Sequence, residues 1–108
     1  MVGVLEKQGK YQDAKNIMNG VIDANIKKYF NNMFQRWGFL VESLTLWVIA
    51  RDYAKIGQYC EKLGESYPAI VCKWASLEIR KNSTAGQEIL KRRAEGNAYI
   101  GDLYDKYK

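Results

Sequence analysis

Side chains that do acid–base, metal or nucleophilic chemistry are sparse in this chain. Its 108 residues include no histidine, the side chain that ordinarily titrates near neutral pH, so general acid–base work would fall to carboxylates. Glu61 and Glu65 stand one helical turn apart, as a cooperating acid pair requires, but they lie beside Lys62 on a charged outer face, and a solvated surface accounts for both. Ser66, Ser76 and Cys72 have no evident base partner and read as structural. No Gly-rich phosphate loop of either standard form occurs. Cys60 and Cys72 lack a CxxC spacing, and without a histidine they cannot complete a zinc site of the usual kind. A bridge between them satisfies parity, yet both sit among apolar neighbours at helical spacing, which favours free buried thiols in a reducing compartment. The expectation is a protein that is not an enzyme and holds no cofactor and no metal.

Charge offers a second kind of chemistry. The formal net charge is +5, and residues 68–93 carry Lys73, Arg80, Lys81, Lys91, Arg92 and Arg93 against Glu78 and Glu88, so most of the excess lies in one quarter of the chain. These six cations are the candidate contacts to nucleic acid or to an acidic partner. Lys91-Arg92-Arg93 is the densest cluster, although Glu88 and Arg92 form an i,i+4 pair that would also hold the helix. The segment Gln58 to Ser66 resembles the first helix and turn of a helix-turn-helix, with Ile70 to Trp74 in the recognition helix. That docking would aim Ala69, Lys73, Ser76 and Arg80 at DNA. Glu65 stands where that motif wants an apolar turn residue, and the spacing to Trp74 is one residue longer than is typical of it.

Positioning these groups falls to helices. Hydrophobic residues make up 47% and charged residues 27%, the usage of a chain that folds around one core. A single proline is far too few for an all-β domain rich in turns. Residues 1–10 read as a flexible arm and 11–108 as one helical domain. Ala14, Met18, Val21, Ile22, Ile26, Tyr29, Phe30, Met33 and Phe34 recur at three-and-four spacing, which predicts a helix from Tyr11 to Gln35, with Asp23 and Lys27 paired at i,i+4. Trp37-Gly38 breaks the pattern. Phe39 to Leu63 is apolar nearly all round its middle turns, as befits a central helix, and Gly57 leaves open whether it is one helix or two. Gly64 and Pro68 mark a stop and a restart. A third helix, Pro68 to Lys81, is expected to turn Val71, Trp74, Ala75 and Leu77 inward. Thr84-Ala85-Gly86-Gln87 has the form of a capping box, opening a fourth helix with Ile89, Leu90, Ile100, Leu103 and Tyr104 on its stripe. Gly96 and Gly101 weaken that helix toward the C-terminus. The predicted fold class is all-α, a compact bundle of four to five helices centred on Trp47 and Trp74.

The aromatic residues left over suggest contact surfaces. Phe34 and Trp37 crowd one helix end, and Tyr99, Tyr104 and Tyr107 lie between charges on the weakest helix, so these five are the candidate protein interface. The N-terminus takes charge at once, unlike a signal peptide, and the most apolar run, Leu44 to Ala50, is too short to span a bilayer. No membrane partner is expected, and the expected location is intracellular or in a virion.

Read in order from Ile17 to Lys81, the chain resembles the small helical head–tail connector or head-completion proteins of tailed phages. The resemblance rests on three stripes: Ile17, Val21, Ile22, Ile26 and Tyr29; then Leu44, Ile49, Ala50 and Tyr53; then Tyr67, Ile70, Trp74 and Leu77. The proline-containing loop those proteins often place between their first two helices is absent. The resemblance implies a ring-forming virion component that contacts itself and a portal or tail protein, without catalysis. The leading expectation is therefore a non-enzymatic assembly module that binds a protein partner or itself; the runner-up is a nucleic-acid binder using the basic region.

Overall fold

A computed structural model describes the backbone of residues 2–34 and 39–108, and the side chains of residues 2–31 and 44–108. The described residues form six helices and no strand: α1 (Val2–Lys7), α2 (Tyr11–Phe34), α3 (Phe39–Lys62), α4 (Ser66–Lys81), α5 (Thr84–Ala94) and α6 (Gly101–Tyr107). The protein is an all-α bundle. Helix α3 packs between α2 and α4, α5 closes across α4 and α2, and α6 lies along α4 and α5.

Amphipathic spacing explains the core. Ala14, Met18, Ile22 and Ile26 of α2 meet Ile49, Ala50, Tyr53 and Ile56 of α3, while α4 contributes Val71, Ala75 and Ile79 and α5 contributes Ile89 and Leu90. Burying each such aliphatic side chain is worth about 1.5–3 kcal/mol. The centre is thus made of isoleucines and Tyr53, not of the two tryptophans expected there. Trp47 is 50% exposed, with the Arg51 guanidinium 5.5 Å above its ring, and Leu44 beside it is also exposed. Trp74 is half-buried at the rim of the core. Gly57 does not divide α3.

The ends depart from the sequence reading in three places. Residues 2–7, expected as an arm, form α1, which docks through Leu5 and through a hydrogen bond from Tyr59 Oη to the Glu6 carboxylate. At the opening of α5 the cap is Ser83 rather than Thr84: its Oγ accepts from the Gly86 N–H at 3.1 Å and donates to Glu78 Oε2 at 2.6 Å. The single fourth helix becomes two. Gly96 takes φ +89°, a left-handed turn that ends α5 and lets residues 97–100 reverse the chain before α6.

Candidate functional site

The residues singled out for chemistry are dispersed. Glu65 pairs with Lys15 at 2.9 Å and Glu61 with Lys73, so the two acids serve separate surface ion pairs. Ser76 is buried and donates to the Ala50 carbonyl at 2.6 Å, tying α4 to α3. Cys60 and Cys72 are free thiols; burial pushes Cys72 up to about 12 and raises Cys60 as well, the opposite of an activated nucleophile. No group of three metal-ligating side chains occurs among the described residues.

One carboxylate escaped the sequence reading. Asp52 sits on the inner face of α3, between Ile49 and Ile56, and is 1% exposed. It meets Asn25 Nδ2 at 3.5 Å and Arg51 Nε at 3.8 Å, and burial raises its pKa above the ordinary carboxylate value against the pull of Arg51, Asn25 and Lys55. The signal was available: an aspartate at the i+3 position from Ile49 falls on the apolar stripe.

The six candidate cations divide sharply. Arg93 is buried, its side chain 4% exposed, and it reaches across the bundle from α5. Its Nε donates to Asp23 Oδ1 at 2.9 Å, with Nη2 ion-paired to the same oxygen at 2.8 Å, Nη1 donates to Asn19 Oδ1 at 3.1 Å, and Nη2 donates to the Asn19 carbonyl at 3.2 Å. Nη1 also lies 3.5 Å from Tyr53 Oη. Asp23 therefore pairs with Arg93 rather than with Lys27, and Arg93 is not free to meet an external anion. Arg92 is held at 2.5 Å by Asp102 of α6 rather than by Glu88. Lys73 is paired with Glu61. Arg80, Lys81 and Lys91 are exposed and have no ion pair among the described residues. The face expected to enter a DNA groove is split: Ala69 and Ser76 are buried, Ser76 against α3, while Lys73 and Arg80 are exposed.

The candidate interface residues also separate. Trp37 and the side chain of Phe34 lie outside the described residues. Tyr104 is spent inside the chain: its ring stands edge-on to Trp74 at 5.5 Å and to Tyr67 at 6.0 Å, stapling α6 to α4. Tyr107 Oη donates to Glu88. Tyr99 is 64% exposed and borders a cleft of about 170 Å³ together with Tyr67, Val71, Cys72 and Ile100.

Beside these lies a feature with the opposite orientation from the one expected. Leu77 points outward, 54% exposed, and Ile79 takes the inward place. With Ile70, also about half exposed, and the rim of Trp74, Leu77 makes an apolar stripe along the outer face of α4, continued by Tyr67. Positions 70, 74 and 77 fall on one side of a helix, with Arg80 and Lys81 on either side of Leu77. Helix α4 therefore has two apolar faces: the core covers one, and on the other Tyr104 of α6 covers part of Tyr67 and Trp74 while Ile70 and Leu77 stay open. Among the described residues no helix is long and apolar enough to cross a membrane. Comparison with protein-family models, with curated proteins and with solved structures finds no match to this chain.

Proposed function

We propose that this protein is a non-enzymatic assembly module that works through protein contacts made by the outer face of α4. The observation that carries the reading is the exposed pair Ile70 and Leu77, flanking the half-buried Trp74, an apolar surface that the fold leaves open although α4 already supplies Val71, Ala75 and Ile79 to the core. A contiguous apolar strip rimmed by charges is the ordinary composition of a protein contact. The resemblance to phage connector proteins makes ring assembly in a virion a specific form of the same proposal. The competing nucleic-acid reading loses support, because Arg93 is enclosed, Arg92 and Lys73 are paired, and two of the four residues of the supposed recognition face, Ala69 and Ser76, are buried.

Photo-crosslinking side chains placed at Ile70 and at Leu77, with Lys62 as an exposed polar control, test the proposal in extracts of the source cell. Discrete polypeptide adducts at the first two positions, formed with this chain or another, are expected. Adducts to nucleic acid, or none at either position, would contradict it.

A further inference from the structure

We propose that the outer face of α4 is the two-fold contact of a homodimer, in which the stripe is covered by α4 of a second copy running antiparallel. The inference rests on the interaction-module reading above and commits it to one occupant.

The apolar pattern is self-complementary. A two-fold axis passing between Lys73 and Trp74 sets Ile70 opposite Leu77 of the second copy and Leu77 opposite its Ile70, as an isologous contact requires. Charge selects the direction. At the C-terminal end of the stripe Arg80 and Lys81 are exposed and unpaired among the described residues. At its N-terminal end Asp105 of α6 accepts from Tyr67 Oη at 3.2 Å and carries, among the described residues, only an exposed i,i+3 pair with Lys108 at 3.4 Å, leaving its carboxylate 54% exposed. Antiparallel packing brings the unpaired cations of each copy to Asp105 of the other, whereas parallel packing stacks cations on cations. Lys73 would approach its own copy at the axis, but each Lys73 is already neutralised by Glu61.

Other occupants fit less well. An anionic membrane would be met by Glu61 and Asp105 as well as by cations. A uniformly acidic helix would satisfy Arg80 and Lys81 but press carboxylates against Asp105. The contact is small: α4 has 16 residues, about 24 Å of helix, so one helix pair with its α6 rim falls near the ~1,000 Å² lower bound of specific interfaces. The dimer should therefore be reversible.

Sedimentation velocity from micromolar to millimolar chain concentration is the test. Wild type should pass from monomer to dimer, and Ile70→Ser with Leu77→Ser should stay monomeric. Arg80→Glu with Lys81→Glu should weaken the dimer about tenfold or more, and adding Asp105→Lys to that variant should restore it, a rescue that misfolding cannot mimic. A chain that is monomeric throughout, a dimer indifferent to the serine pair, or a triple charge variant no tighter than the double would overturn the inference. If the dimer fails while crosslinks from Ile70 or Leu77 reach a different polypeptide, the interaction-module reading stands and this assignment alone falls.

Discussion

Arg93→Ala should cost this protein about 3 kcal/mol of folding stability. The guanidinium makes three hydrogen bonds of 2.9–3.2 Å to Asp23 and Asn19, an ion-pair contact of 2.8 Å to Asp23, and the longer approach to Tyr53 Oη. Charge-assisted bonds of this kind are each worth about 1.5–3 kcal/mol, but the sum is not the answer. Truncation also removes the burden of a buried charge, and Asp23, 54% exposed, can turn back to water. What is not recovered is the loss to Tyr53 and the Asn19 carbonyl and the link of α5 to α2 and α3, which places the cost near the lower edge of the ~3–5 kcal/mol seen when buried pairs are broken. Urea unfolding followed by circular dichroism measures it directly. In thermal unfolding, at about 4 °C per kcal/mol for a domain of this size, the melting midpoint should fall by about 12 °C. Arg93→Lys should recover less than half, because an ammonium cannot serve three partners in one plane. An Arg93→Ala variant within 1 kcal/mol of wild type would refute the claim that this cation is enclosed, and would return it to the pool available for an external anion.

Asp52 should weaken the fold near neutral pH. Its pKa is higher in the folded chain than in the unfolded one, so the folded state binds this proton more readily, and the group opposes folding increasingly as pH rises through its folded value. Asp52→Asn should therefore stabilise at neutral pH by about 1 kcal/mol, with the advantage shrinking in acid; an advantage that grows as pH falls would show the sign to be wrong. The two thiols should resist iodoacetamide in the folded protein at mildly alkaline pH and react promptly in urea, since burial raises both pKa values. Native modification of Cys72 at the rate of an unhindered thiol would contradict its placement.

The boundaries of α2 to α4 were legible because their signals are local, whereas α1 and the α5–α6 break were not. Three-and-four spacing marks the start of α2, all-round apolarity marks the span of α3, and Gly64 with Pro68 marks the α3–α4 corner to within two residues. The facing of α4 was not legible. Ile70, Val71, Trp74, Ala75, Leu77 and Ile79 surround most of its circumference, so periodicity cannot decide which side meets α3, and the expected inward set takes Leu77 where the fold buries Ile79. Arg93 was missed for another reason: it looks like the end of a surface cluster, and Asn19 and Asp23 are 74 and 70 positions away. Only the packing of α5 across α2 brings them together. Trp47 shows the reverse error, a large indole assigned to the centre although it sits outward, covered on one side by Arg51.

The account stands on α4 having an apolar face that the fold does not need. The most direct measurement is the urea unfolding free energy of the Ile70→Ser, Leu77→Ser double variant, taken at a concentration where the chain is monomeric. A value within about 1 kcal/mol of wild type is predicted, as for surface positions. A loss of about 2 kcal/mol or more per residue, the cost of emptying a core site, would place both side chains inside the fold and contradict the account.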